Sequence, residues 1–488
     1  MELQSANHEL HKPLGLRDVV SMQILIVLSV TWPGFAAHQG STHVALWLFG
    51  IVLMFLPLAA VVQFCVRIWP LEGGSYQWVK YTAGPFPGFM TAWNFFANCI
   101  LASSNVGILT LTGMTYLIGP GAAWMTESNA MIAAVGAAVF ALILLANIPG
   151  FSIGRWMAYV GAAMTLFVAG LLAVLVFVHP HATALRPHVA PQPPFSLALP
   201  ALTLTTLNLF SKVVFYSLVG LEQVAVFAGE IRNAPRTLLR SSWIAGPVIA
   251  VLYILMTGSL LTYTPAHNID VTGPIAQLLT TAFPAASSDS DGVGWGDLLG
   301  RGVIVAMILT TISSVSILVA EASRLPMVAA WDHLLPEWFT RLHPRYKTPT
   351  RSLVVIVLLN LVFSLLACVG AAKEEAFQLL AGTSSLCYGI SYLLMFCVPL
   401  LAGTRFSRCP GLRVPMTIRL ASVSGIALTL LAIVMNLVPI TQVPHPWVYA
   451  LKVGLTVAGL NAAGAALYWR GSRASGTDGG GRLSGDGN

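Results

Sequence analysis

"YSLVGLEQVAVFAGEIRNAPR" occupies residues 216–236, and its reading decides the fold. The segment lies in a long apolar run, yet Glu222 sits near the middle of that run with Gly220 two residues before it. Glycine weakens a helix because it gives up the most backbone freedom on folding. An ionisable group at mid-depth in a bilayer is costly and marks function by default. A span that carries both is expected to be interrupted rather than continuous.

The surrounding composition fixes the solvent. The 488-residue chain is 56% hydrophobic and 9% charged, where a soluble domain carries about 25% charged residues. Apolar runs of about 20 residues make helices, not barrel strands, the expected spans. The reading is an all-α integral membrane protein with twelve transmembrane helices, near 19–36, 43–67, 86–118, 129–147, 155–178, 200–229, 242–263, 300–328, 352–370, 376–402, 418–440 and 446–469. Residues 1–18 are then a polar N-terminal segment without a signal-peptide core, 19–402 a core of ten helices, 418–469 the last two helices, and 471–488 a Gly/Ser-rich tail expected to be disordered.

Charge sets the expected orientation. With the N-terminus in the cytoplasm, twenty Lys and Arg residues fall on the cytoplasmic side. Four, Arg186, Arg301, Lys373 and Lys452, fall on the other, and Lys212 stays inside a span. This bias follows the positive-inside rule for a multi-pass protein of the cytoplasmic membrane with both termini inside. The net charge of +7 therefore calls for no nucleic acid. Cysteines at 65, 99, 368, 387, 397 and 409 show no C-x-x-C or metal spacing and read as small core hydrophobes. His179, His181 and His188 read as a solvated loop. No metal and no other cofactor is expected. The absence of GxxxxGK[ST], HExxH and GxSxG argues against an enzyme.

A second interruption matches the first in position. "SVTWPGFAAHQG" (29–40) places Pro33-Gly34 about fifteen residues into the first span. Proline removes a backbone donor and clashes with the preceding turn. The first and sixth spans open two five-helix halves, 19–178 and 200–402, so the two breaks correspond. Secondary transporters bind substrate where two such breaks meet.

Three stretches carry a family resemblance. "WPLEGGSYQWVKYTAGPFPGFMTAWNFF" (69–96), "GLEQVAVFAGEIRNAPRTLLRS" (220–241) and "ASRLPMVAAWDHLLPEWFTRLHPRYKTPTRS" (322–352) resemble the motifs after the second, sixth and eighth helices of the amino acid–polyamine–organocation (APC) superfamily. The usual Asn-Pro is interrupted here as Asn233-Ala234-Pro235. The resemblance implies a LeuT-like five-plus-five inverted repeat with two extra helices. It implies alternating-access transport of amino acids, coupled to protons or to exchange, with polyamines as the second substrate class. A non-transporting membrane sensor is the reading of another class.

The site follows from the breaks. The backbone of Thr31, Trp32, Pro33 and Gly34, and that of Tyr216, Ser217, Val219 and Gly220, is expected to line it, because broken helices expose unpaired N–H and C=O groups and the positive ends of half-helices attract a substrate carboxylate. Tyr216 aligns with an aromatic that in the family covers substrate, and its ring suits an ammonium group. Asn98 matches a substrate-facing polar position of some relatives. Glu222 is the main candidate for coupling. Proton-coupled relatives often place a lysine in the fifth helix; residues 155–170 contain none, so Lys212 or His38 stands as its substitute. "TTISSVS" (310–316) offers hydroxyls to a cation or substrate. Glu321 is expected to pair with a base such as Arg324.

Overall fold

The structure is a computed structural model, described over residues 13–29, 32–149, 151–178, 194–269, 274–282, 295–331, 334–368, 373–404, 407–409, 411–437 and 446–474. Its main elements are α1 (Leu16–Val27), α2 (Trp32–Ala37), α3 (His43–Gly50), α4 (Leu56–Ile68), α5 (Ser75–Ala83), α6 (Pro85–Ser103), α7 (Val106–Ile118), α8 (Asn129–Asn147) and α9 (Phe151–Val178). There follow α10 (Leu204–Ser217), α11 (Ala234–Tyr263), α12 (Pro274–Ala282), α13 (Trp295–Trp331), α14 (Thr350–Cys368), α15 (Lys373–Leu401), α16 (Met416–Asn436) and α17 (Pro446–Ala474). Among the described residues, nine helical stretches are long and apolar enough to cross a membrane. The runs expected at 19–36 and 200–229 are each divided: α1 from α2, and α10 from a 3-10 stretch at Gln223–Glu230. The His-containing loop of 179–193 and the C-terminal tail from 475 lie outside the described residues.

Local chemistry sets the helix starts. Thr203 caps α10 by accepting the Thr206 N–H at 3.1 Å, which satisfies one of the donors a helix leaves open at its start. The interrupted Asn-Pro works in the same sense. Asn233 takes a left-handed φ of 49° and Pro235 falls in the first turn of α11, where proline loses no needed hydrogen bond. The long 85–118 run bends between α6 and α7. Ser103 and Ser104 bond back to Cys99 and Ile100 carbonyls there, and Ser104 also reaches Asn360 on α14 at 3.2 Å. Such back-bonding bends helices.

Packing places the broken helices at the centre. Helix α15 lies along α6, α9 against α13, and α11 against α1. Trp47, Phe227, Leu221 and Tyr392 are fully or almost fully enclosed. Leu145, Phe177, Trp243, Leu366 and Trp447 are exposed instead, as suits helices whose solvent is lipid.

The segment between α4 and α5 turns back against the 3-10 stretch. Gly73 and Gly74 take φ of 94° and 49°. The Gly73 N–H donates to the Val226 carbonyl at 3.0 Å. A Cβ on Gly74 would lie 3.1 Å from the Ala225 carbonyl carbon. Both conformation and space therefore demand glycine, and Gly74→Ala should cost roughly 1–3 kcal/mol. The thermal unfolding midpoint of the purified protein should fall accordingly. Gly170→Ala, where an added Cβ meets nothing within 4 Å, should leave it unchanged or raise it.

Candidate functional site

Helix α1 stops at Val27, and its broken end is held by a side chain from α11. The Tyr253 hydroxyl accepts the Ser29 N–H at 3.0 Å and donates to the Val27 carbonyl. Tyr253 is itself fixed: its ring stacks on Trp47 at 4.5 Å and 7°. Trp47 donates to Thr257 at 3.1 Å, and Thr257 donates back to the Tyr253 carbonyl at 2.7 Å. The Ser314 hydroxyl donates to the Leu25 carbonyl at 3.2 Å. Polar backbone that leaves a helix in a low-dielectric interior needs such partners.

The second break is held in the same way from α15. Gly220 takes φ of 112°, a conformation glycine adopts without strain. Its N–H donates to the Tyr392 hydroxyl at 3.1 Å. The Tyr388 and Tyr392 hydroxyls each donate to one oxygen of the Glu222 carboxylate. Gln223 donates to Tyr388 at 2.8 Å. The spacing of four places both tyrosines on one face of α15, and Phe215 meets both rings edge-on at 6.1 and 5.6 Å.

The two breaks touch. A Cβ on Gly220 would come within 2.9 Å of Ile26 Cγ2. Beside them, Trp32 from α2 and Tyr216 from α10 stack at 4.6 Å and 19°. The Tyr216 hydroxyl donates to Asn436 Oδ1 on α16 at 2.9 Å, and Asn436 donates to the Gly382 carbonyl at 2.9 Å. Aromatic faces, helix ends and a carboxylate thus converge where the chain leaves helical geometry twice.

The residues expected at the site are placed as follows. Trp32, Pro33 and Gly34 form the start of α2, while Thr31 lies outside the described residues. Tyr216, Ser217, Val219 and Gly220 form the end of α10 and the turn beyond it. Asn98 on α6 is buried and accepts the Ser384 hydroxyl of α15 at 2.8 Å. Lys212 is buried on α10, five residues before its end. The side-chain hydrogen bonds that Glu222 accepts come from the two tyrosines rather than from Lys212. His38 stands apart: it is exposed, and its Nδ1 lies 3.0 Å from the Gly34 carbonyl. The hydroxyls of 310–316 bridge helices, with Thr310 near Thr165 at 3.4 Å and Ser316 accepting Asn147 at 2.8 Å. Sequence reasoning missed Tyr253, Tyr388 and Tyr392. The one available signal was the Tyr-x-x-x-Tyr spacing inside the apolar α15.

One end of the broken helices is closed by a polar knot. Leu14 pairs with the strand-like exit of the 3-10 stretch: its N–H donates to the Glu230 carbonyl at 3.2 Å, and its carbonyl accepts the Arg232 N–H at 2.9 Å. The Gly229 N–H donates to Glu72 Oε2 at 2.8 Å. Arg324 Nε meets Glu230 Oε1 at 3.2 Å, and its guanidinium lies 5.1 Å over the Phe227 ring. Arg324 therefore turns to Glu230 and not to Glu321. The Tyr159 hydroxyl on α9 donates to Asp18 of α1 at 2.6 Å. Leu14, Asp18, Met22, Phe227, Ala320 and Arg324 line a recess beside this knot.

Comparison with known proteins agrees with this architecture. Residues 14–458 match the amino acid permease family. An uncharacterised transporter of Legionella pneumophila is 24% identical over 90% of this chain and 92% of its own. An uncharacterised amino acid permease of Bacillus subtilis is 26% identical over 76% of this chain and 79% of its own. Cationic amino acid transporter 5 of Arabidopsis thaliana is 23% identical over 73% of this chain and 60% of its own.

Two outcomes are expected from this geometry. Tyr253→Phe and Tyr392→Phe each remove the acceptor of a backbone N–H, costing about 1–3 kcal/mol, and each should lower the thermal unfolding midpoint. Burial and the adjacent Glu230 carboxyl push the Glu72 carboxyl well above the usual carboxylate range, against the opposing pull of Arg324. The folded state thus binds this proton more tightly than the unfolded one. Stability contributed by protonated Glu72 is present at low pH and is lost as pH rises through its elevated pKa. Thermal unfolding followed against pH should show that decline in the parent protein and a flatter profile in Glu72→Gln.

Proposed function

The chain belongs to the amino acid permease family, and from that premise we propose that it is a secondary transporter that carries amino acids across the cytoplasmic membrane by alternating access. The observation that carries this reading is the meeting of two helix breaks at Ile26 and Gly220, which is where such carriers bind substrate. In this reading twelve helices span the bilayer, ten of them as a five-plus-five inverted repeat, with both termini in the cytoplasm.

The parts divide the work. The N-terminal end of α2 receives the substrate carboxylate, and the carbonyl end of α10 faces the ammonium group, each favoured by its helix dipole. The stacked pair of Trp32 and Tyr216 covers the ammonium group from the outer side. Asn98 and Ser384 present polar atoms from the flanking helices. Glu222, joined through Tyr392 to the Gly220 backbone, reports occupancy of the break to α15. The knot of Leu14, Glu72, Glu230 and Arg324 closes the cytoplasmic exit and parts when α1 swings outward. Transport is driven by exchange or by protons. Lys212 in the same helix disfavours a purely cationic substrate such as a polyamine, if its ammonium shares the cavity.

Counterflow of radiolabelled amino acids in proteoliposomes tests the reading, with putrescine and spermidine in parallel. Amino acid counterflow is expected, and a protein that binds without moving any of these is a sensor. Glu222→Gln removes charge-assisted hydrogen bonds of about 1.5–3 kcal/mol and should slow counterflow roughly tenfold or more. Lys212→Ala should change which substrates compete. Unchanged rates and selectivity in both variants would remove the roles given to Glu222 and Lys212.

A further inference from the structure

Glu321 sits on α13 with none of its surface exposed. Neither carboxyl oxygen accepts a hydrogen bond from any described residue. The base one turn further along the helix, Arg324, spends its Nε on Glu230 and its Nη1 on the Ala320 carbonyl and the Ser323 hydroxyl. Glu222, the other carboxyl in this part of the interior, lies within electrostatic reach of Glu321.

The two carboxyls live in opposite environments. Glu222 accepts two phenolic hydroxyls, and donors of this kind favour the carboxylate form. Glu321 has no such donor. Of two carboxyls buried in the same low-dielectric interior, the one with fewer compensating partners is the one that takes up a proton. The remaining titratable neighbours are already engaged. Asp18 accepts from Gly15 and Tyr159, Glu230 accepts from Arg324, and Glu72 accepts from Gly229. Arg155 lines the recess together with Arg324.

We propose that Glu321 is a proton-binding site of the transport cycle, holding a proton in the closed arrangement and releasing it when the recess between α1, α9 and α13 opens. The recess reaches Ala320, the residue immediately before Glu321, so the exit for the proton is the same opening that frees α1. Uptake is the reverse step: one proton from water converts the carboxylate to the acid, and the same proton returns to water on release. Glu222 keeps its two phenolic donors and serves the break. The proposal rests on the transporter reading for its place in a cycle, but the proton site itself does not.

The test is infrared difference spectroscopy of the full chain in lipid, titrated with acid and base and with no substrate added, with Glu72→Gln present in the parent and in every variant so that the buried Glu72 acid adds no band. A buried carboxylic acid gives a C=O stretch separate from the carboxylate bands. That band is expected in the parent protein, lost in Glu321→Gln, and retained at a changed frequency in Glu321→Asp. Should Glu321→Gln fail to reach the membrane, Glu321→Asp decides alone: labelling the glutamate carboxyls with 13C should move the parent band and leave the band of the variant in place. A band that survives in Glu321→Gln, or that is absent from the parent protein at every pH, overturns the proposal. Counterflow without a Glu321 band leaves the transporter reading standing and removes the proton site. A Glu321 band in a protein that carries no amino acid does the reverse.

Discussion

The structure depends on one constraint: backbone that leaves a helix inside an apolar medium has to be bonded by something else. Here tyrosine hydroxyls do it. Tyr253 serves the end of α1, and Tyr392 serves the turn after α10. A hydroxyl suits this task because it donates and accepts at once. Each tyrosine is in turn set by its own surroundings, Tyr253 by the stacked Trp47 and Tyr392 by Phe215 and Tyr388. Two unwound segments can therefore lie against each other with backbone groups at both breaks bonded by side chains.

That arrangement links places far apart in the chain. The 3-10 stretch begins at the Glu222 break and ends at the Glu230 knot, eight residues of backbone with a kink at Phe227. Its middle is gripped by the Gly73-Gly74 turn, and its far end by Leu14, whose own helix begins two residues later. A displacement at one break has a short route along the chain to the closed end and from there to the start of the other broken helix. The knot mixes one guanidinium with two carboxyls, so its cohesion varies with protonation whereas the tyrosine-held breaks vary with geometry.

Much of this could be read from the sequence, and the limits are physical. Pro33-Gly34 and Gly220 announce breaks because their effect is local: a missing donor and a permissive φ need no partner. Gly73-Gly74 announce a turn for the same reason, and the positive φ values bear that out. The partners of the breaks could not be read, because Tyr253, Tyr388 and Tyr392 acquire their role only through helices that approach from distant parts of the chain. The pairing expected of Glu321 with Arg324 rested on a spacing of three along one helix. Guanidinium reach is long enough that Glu230, ninety-four residues away, holds the group instead. Lys212 and Glu222 share a span in the sequence, but the break between Ser217 and Gln223 separates them, and the phenols take both of the carboxylate's oxygens.

The Tyr392 hydroxyl has a consequence of its own. One oxygen joins the Gly220 N–H to the Glu222 carboxylate. Rotating that phenol away severs both bonds together, so a single side-chain movement releases the backbone of the turn and one oxygen of the carboxylate beside it.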